Sequence, residues 1–284
     1  MLAVMSWPLL SEEAIGEDLA TKRVGRRLRV LAETTSTNDV ALSAAEEGPN
    51  CDGLAVFAEY QTAGRGRQGR SWHAPRGASL LCSTVLFGPD DVSRAGLLTL
   101  AAGVAACDAV REATTVWPVL HWPNDLLVGG KKLAGVLVES RPVVGGQRAW
   151  VIGVGINCYQ HVSHFPPDLR DRATSLEIES REPIDRLRLA KCLLRELDRW
   201  VADETVREAN RVRSAWLERA EALGARVRLT ADGKEYIGRA VEVDPQYGLL
   251  VQTDDGTRVW FDAARSRIVS WGDERGFVVG ADPP

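Results

Sequence analysis

The chain has 284 residues, 45% hydrophobic and 26% charged, the balance of a soluble globular protein with a substantial core. Its length allows one large domain, or a large domain with a small appendage. A net charge of −4 and a pI near 5.7 exclude a whole-molecule polyanion binder, so any basic site must be local. The five cysteines (51, 82, 107, 158 and 192) are odd in number, and none are spaced Cys-x-x-Cys. That argues against a disulfide framework and a zinc site, and for a reducing compartment. The opening MLAVMSWPLL is apolar but lacks the basic start and long run of a secretory signal. No stretch approaches the roughly 20 apolar residues of a membrane span. The expectation is a cytoplasmic protein without membrane contact.

Residues 11–20 carry a serine cap and early acids and predict a short helix. Residues 26–34 alternate as a strand does. A helix is expected from TSTND at 35–39 up to a stop at Gly48-Pro49. GLAVFAEY (53–60) is a predicted strand that runs into a loop, GRGRQGRSW (64–72). ASLLCSTVLF (78–87) has the continuous apolarity of a buried strand. Residues 93–113 predict a long buried helix capped by Ser93. Three strands follow, at 118–122, 126–128 and 132–140, and Gly145-Gly146 turns the chain into a fourth at 148–158. Residues 159–183 are expected to be mostly loop. An amphipathic helix is predicted over 185–204 and another to about 222. From Ala225 to Trp271 short strands separated by DG, PQYG and DDG predict a small barrel. Sequential hairpins among the helices favour an α+β fold with a mixed sheet over a purely parallel one.

The loop at 64–72 asks for an anion. Arginine forks suit carboxylate and phosphate, glycines allow an inward-turned nest of N–H groups, and Trp72 offers a face for a base. A nucleotide phosphate site and a solvated loop that attracts RNA both fit these residues. The loop lacks the Gly-Lys-Ser/Thr end of a Walker A motif. Four other segments carry similar alternatives. HWPNDLL (121–127) is either a plain turn or a means of aiming Asn124 and Asp125 into a site. Lys131 and Lys132 are either a solvated strand end or a point charge for an anion. GVGINC (153–158) places two glycines in a strand, for a bulge or for a ligand. Ser36-Thr37-Asn38 is either a helix cap or part of a polar site at a helix N-terminus.

Taken in order, these five segments resemble the biotin protein ligase family. The matching residues are Ser36-Thr37-Asn38, Gly64 to Trp72, Trp122 to Asp125, Lys132 to Glu139, and Gly153 to Asn157. One departure is visible: His121 stands where the family usually has lysine. The resemblance implies a mixed-sheet catalytic domain of the class II synthetase type over residues 1–222 and a small SH3-like barrel over 223–284. It implies an enzyme that joins biotin to ATP as biotinyl-5′-AMP with Mg²⁺, then passes biotin to a lysine of the biotin carboxyl carrier domain of an acyl-CoA carboxylase.

By the same resemblance, Ser36, Thr37, Asn38, Gln61, Gly64, Arg65, Arg67, Lys132, Gly135, Gly153 and Gly155 would hold biotin. Arg67, Arg70, Trp72, Asn124, Lys132 and Asn157 would hold ATP, with Trp72 stacked on adenine. Lys132, Arg67 and Asp125 would carry the chemistry. Asn124, Asp125 and Asn157 would face phosphate, metal or the incoming lysine, which leaves the metal ligands open. Only about 30 residues precede the first catalytic strand, so the resemblance is to the monofunctional type, and no DNA partner is expected. A lipoate or octanoate ligase of similar fold and a non-catalytic RNA-binding module are the rival readings.

Overall fold

The protein was analysed as a computed structural model, in which residues 7–201, 209–220, 223–273 and 276–279 are described. The first part of the chain winds around a seven-stranded sheet, ordered β1-β2-β3-β7-β6-β5-β4. Its strands are β1 (Arg27–Leu31), β2 (Leu54–Ala58), β3 (Ser79–Pro89), β4 (Val119–His121), β5 (Asp125–Val128), β6 (Lys131–Val143) and β7 (Gln147–Asn157). β1 and β2 pair in parallel, and every other neighbour is antiparallel. The expected mixed sheet is therefore present.

Alternation along the strands decides what covers each face. On β7, Trp150, Ile152, Val154 and Ile156 join the main core, together with α3 (Arg94–Ala113) and α5 (Arg186–Val201). Ala149 and Val151 point the other way, into a smaller core with α2 (Thr37–Glu46). Beyond Val151 that second face carries Gly153, Gly155 and, at the strand end, Asn157, and there the covering helix ends. Short helices α1 (Glu12–Gly16) and α4 (Leu176–Glu179) complete this part.

Most expected elements exist with trimmed ends. Ser11 caps α1 through the Ala14 amide. Ser93 does not cap α3 as expected. It has helical backbone angles, and its hydroxyl bonds Asp91 at 2.7 Å. The predicted helix over 185–204 runs from Arg186 to Val201, and its last three residues lie outside the described ones. The second becomes α6 (Ala209–Arg219). The expected boundary at 222 also lies outside the described residues.

The C-terminal strands are β8 (Arg226–Ala231), β9 (Lys234–Asp244), β10 (Gly248–Thr253), β11 (Arg258–Phe261), β12 (Ser266–Asp273) and β13 (Gly276–Val279). They form an antiparallel sheet in the order β11-β10-β9-β8-β12-β13, with irregularities in β10 and β12. Among the described residues no pairing joins β11 to β13, so this is a sheet and not a closed barrel. Its apolar face, including Val227, Leu229, Val251 and Ile268, is continuous with the main core. All five cysteines are buried and free, and burial pushes the thiols of Cys107 and Cys158 up to about 12. They pack as small apolar groups.

Two buried polar contacts hold this frame. The Arg186 guanidinium of α5 bonds the carbonyls of Gly77 and Pro8, each at 2.8 Å, and pairs with Glu59 at 2.7 Å. Glu59 also accepts the Leu10 amide at 2.8 Å, just where β2 releases the arginine loop. Replacing Glu59 with alanine strands a buried cation, and we expect a loss of roughly 3–5 kcal/mol on urea denaturation. A loss below about 1 kcal/mol would mean that the carbonyls alone satisfy Arg186.

The other contact sits between the sheets. His121 of β4 meets Trp271 of β12 edge to face, centroids 5.1 Å apart. Burial holds this histidine down to about 4, with Asp125 opposing and Lys132 reinforcing the shift. In the unfolded chain it titrates near 6.5. Between those values the unfolded chain binds a proton that the folded one refuses. The stability this contributes is complete above pH ~6.5 and is lost as the pH falls towards 4. His121→Phe keeps the ring contact and removes the titration. Its unfolding free energy should fall less between pH 6.5 and 4 than the parent's, by an amount on the order of 2–3 kcal/mol. Parallel curves would place His121 in a solvated or compensated environment.

Candidate active site

The uncovered glycine face of β7 is the floor of a cavity of about 350 Å³. Strand register builds that floor in rows. Leu81, Gly155, Gly135 and Asp125 align across β3, β7, β6 and β5. Ser83, Gly153 and Leu137 form the next row. Two glycines are required by what lies on them. A Cβ on Gly155 would sit 2.8 Å from the Trp72 ring, and one on Gly153 would sit 2.3 Å from Asn38 Oδ1. The sequence reading assigns these glycines to ligand room. In the structure Trp72 and Asn38 take the room next to them, and the cavity begins above.

The arginine loop is a tight hairpin. Gly66 N–H donates to Arg70 O at 2.7 Å, and Trp72 N–H to Gly64 O at 2.8 Å. A side chain on Gly64 would collide with Gln61 and with the Trp72 carbonyl. At the tip Gln68 and Gly69 both have positive φ, 54° and 75°. The amides of Gly66, Arg70 and Trp72 are therefore used within the loop and are not turned to an anion. Donors reach the cavity through side chains instead.

Each of the central cations is lodged in a partner. Arg65 pairs with Glu139 at 2.9 Å and Asp39 at 2.6 Å. Burial opposes its charge, but those two carboxylates outweigh it and raise the guanidinium above its usual value. Arg67 donates to Asn124 Oδ1 at 3.2 Å and to the Ala263 carbonyl, which links the loop to the C-terminal sheet. Burial holds Arg67 below its usual value; Asp125 opposes this and Arg70 adds to it. Lys132 Nζ lies 2.6 Å from the buried Asp125 carboxylate and 5.9 Å from the Trp72 ring centre. It is thus half-buried and paired, not a solvated strand end.

Four polar residues of the lining, Ser36, Thr37, Asn38 and Gln61, are uncharged. Gln61 Oε1 accepts from the Thr37 amide at 2.7 Å and from its hydroxyl at 3.0 Å. Ser83 Oγ lies 2.7 Å from Thr37 Oγ1 and 2.5 Å from Asn38 Oδ1, and Asn38 donates to Glu139 at 2.6 Å. Ser36 stands at the start of α2, where its carbonyl accepts the Asp39 and Val40 amides but its hydroxyl does not cap the helix.

Of the expected residues, Ser36, Thr37, Asn38, Gln61, Arg65, Arg67, Arg70, Trp72, Asn124, Lys132, Gly135, Gly153, Gly155 and Asn157 all line the cavity. Gly64 and Asp125 stand behind this lining, against Trp72 and Lys132 respectively. Asn124 and Asn157 are committed to protein partners. Asn124 Nδ2 bonds Val136 O at 2.6 Å, and Asn157 Nδ2 bonds Thr174 O at 2.9 Å.

Sequence reasoning missed Ser83, Glu139 and the wall formed by Phe165 to Ala173. Glu139 closes a motif already singled out, and Ser83 is one of three hydroxyl residues, with Ser79 and Thr84, in an apolar run. The wall carries no local pattern. It is held by Lys132 N–H to Arg172 O at 2.7 Å and Thr174 N–H to Lys132 O at 2.9 Å. Among the described residues no three His, Cys, Asp or Glu side chains are placed to hold a metal ion.

Comparison with known proteins agrees with this geometry. Residues 30–157 match the model of the biotin/lipoate A/B protein ligase family. The biotin--[acetyl-CoA-carboxylase] ligase of Mycobacterium tuberculosis is 37% identical over 274 residues, 94% of this chain and 95% of that protein. The bifunctional ligase/repressor BirA of Bacillus subtilis is 32% identical over 254 residues, 89% of this chain and 78% of that protein. Among solved structures, the biotin protein ligase of Aquifex aeolicus in complex with biotin and ATP superposes with a TM-score of 0.66 at 26% identity, covering 86% of this chain and 99% of that one. The chain belongs to the biotin protein ligase family.

Proposed function

We propose that the chain activates biotin with ATP and transfers it to a lysine of a biotin carboxyl carrier domain of an acyl-CoA carboxylase. The observation that carries the reading is the place of Lys132. Its ammonium lies over the Trp72 face, in a cavity lined both by the uncharged Ser36, Thr37, Asn38 and Gln61 and by Arg65, Arg67 and Arg70 of the arginine loop. A neutral ureido ring suits Thr37, Gln61, Asn38 and Ser36. A carboxylate then reaches Lys132, and a nucleotide lies along Arg67, Arg70 and Trp72.

In the first step a biotin carboxylate oxygen attacks the α-phosphorus and pyrophosphate leaves. Little covalent help is needed, and positioning with charge neutralisation does most of the work. Lys132 draws the two anions together, and Asp125 fixes its ammonium. In the second step the carrier lysine, as free amine, attacks the acyl carbon and AMP leaves. Lys132 and Arg67 stabilise the oxygen charge that develops. Magnesium would arrive with ATP. Such an ion keeps several waters and takes one or two carboxylates, and Asp168 on the cavity wall is the available one. It would neutralise phosphate charge.

The division into a catalytic domain to 222 and a C-terminal domain from 223 is part of this proposal, supported by the change from helices to short strands. So is an SH3-like curvature of the C-terminal sheet, supported by its two irregular strands. Five buried thiols suit a reducing compartment such as the cytoplasm, and no described helix is long and apolar enough to cross a membrane. Biotin-dependent ATP–pyrophosphate exchange tests the reading, and lipoate in place of biotin tests the rival ligase.

Lys132→Ala should lower this exchange roughly 10²–10³-fold. It also leaves Asp125 buried and unpaired, costing about 1–3 kcal/mol. Adding Asp125→Ala should restore much of the stability and none of the activity. Recovery of exchange in the double variant would make the pair structural only.

Arg67→Gly cuts the loop from Asn124 and Ala263. The site should still form adenylate but release it, since a closed loop shields the anhydride from solvent. Released adenylate would then biotinylate bulk albumin, which the parent should ignore. Labelling confined to the carrier, or no adenylate at all, would remove Arg67 from the retention role.

A further inference from the structure

Gln160 lies three residues past the end of β7 and is fully buried. Its Nε2 donates to Ser79 Oγ at 2.6 Å and to Asn157 Oδ1 at 2.9 Å. Ser79 and Asn157 are themselves register partners across β3 and β7. The Gln160 main-chain carbonyl accepts the Ser175 hydroxyl at 2.6 Å. One residue thus ties two floor strands to the segment that follows the cavity wall. Among the described residues its Oε1 is buried without a hydrogen-bond partner, which costs stability. Turning the amide over would set that oxygen against Asn157 Oδ1, so the contact with Asn157 keeps the less satisfied orientation.

Donor and acceptor roles follow from the group that has no choice. The Thr174 carbonyl can only accept, so it takes Asn157 Nδ2, at 2.9 Å. Asn157 Oδ1 then faces Gln160, and Gln160 must bring its NH₂ to meet it. Asn157 is 4% exposed and lines the cavity. An amide nitrogen carries two protons, and the second one is what Asn157 has left to offer there.

We infer that Gln160 is a positioning residue that holds Asn157 as a hydrogen-bond donor, aimed at an acceptor atom of the nucleotide. This rests on the ligase reading above. A free asparagine side chain presents oxygen or nitrogen with nearly equal ease, and Gln160 removes that choice. The amide is fixed at both ends, so the donor is oriented before the ligand arrives. A cation would need the oxygen that Gln160 engages. Asn157 is therefore left for an acceptor, and not for a metal ion or the ammonium of an incoming lysine.

The test is Gln160→Met in the full chain, alone and together with Asn157→Ala. Gln160→Met should raise the KM for ATP in ATP–pyrophosphate exchange about three- to ten-fold, the loss of one well-aimed hydrogen bond. Biotin affinity, read by titration, should not change, which shows an intact floor. With Asn157→Ala already in place, adding Gln160→Met should raise that KM no further, because Gln160 acts through Asn157. Gln160→Glu keeps the size of the side chain. Its carboxyl donates once when protonated and not at all when ionised, so its KM for ATP should climb with pH more steeply than the parent's. An unchanged KM in Gln160→Met would overturn the inference. So would an equal effect of Gln160→Met with and without Asn157, or a KM for ATP that rises only together with a loss of biotin affinity, which would make Gln160 a structural group. A parent that forms no adenylate from biotin and ATP would instead overturn the ligase reading.

Discussion

A positive charge withdrawn from water needs a partner, and this cavity gathers five: Arg65, Arg67, Arg70, Lys132 and Arg172. Much of the surrounding structure follows from that requirement. Glu139 and Asp39 hold Arg65, Asp125 holds Lys132, and Asn124 with the Ala263 carbonyl holds Arg67. These partners come from β6, α2, β5, the turn before β5 and the C-terminal region. Because each has its own element to bring, the elements must meet here. The site is thus close to neutral at its centre, and an incoming anion competes with fixed acceptors. Weak or badly shaped anions lose that competition.

The same economy governs the floor. A half-buried strand would normally present a side chain at every second position. On β7 Ala149 and Val151 do so beneath α2, and Gly153 and Gly155 do not. The strand is equally regular in both halves, so the cavity costs no distortion of the sheet. It is a place where covering side chains are missing and two larger ones, Asn38 and Trp72, are laid in from outside. Both are fixed by groups that also set the charge pattern. Asn38 bonds Glu139, and the Trp72 ring lies under Lys132.

Much of this was legible in the sequence where the information is local. Strand alternation, glycine turns and the GRGRQGRSW loop mark elements and site within a few residues. What was lost depends on distance. Glu139 matters through Arg65, 74 residues away in the chain. The wall around Arg172 is set by a bridge between Lys132 and Ala173, with no periodicity to betray it. The part the loop amides play was hidden for a related reason. Composition allows inward N–H groups, but a hairpin satisfies those of Gly66, Arg70 and Trp72 within the loop. The Ser93 cap failed because Ser93 has helical backbone angles, which do not aim its hydroxyl oxygen at the helix's free amides, and the hydroxyl donates to Asp91. Lysine at a strand start is usually solvated, and nothing near Lys132 in sequence announces that Asp125 will be its neighbour.

The C-terminal sheet is bound to this chemistry more closely than an appended domain need be. Its apolar face continues the main core, Trp271 covers His121, and the carbonyls of Ala263, Ala264 and Ser266 receive donors from the loop tip. Bonds to main-chain carbonyls depend on where the backbone is and not on which side chains it bears. The loop therefore reads the position of the sheet. Any ligand that draws Arg67 from Ala263 weakens the seat of the sheet, and any movement of the sheet changes how readily Arg67 is released. Linkage makes those two effects equal in free energy. The side chains of Arg67 and Gln68 are thus where the loop and the C-terminal sheet are coupled.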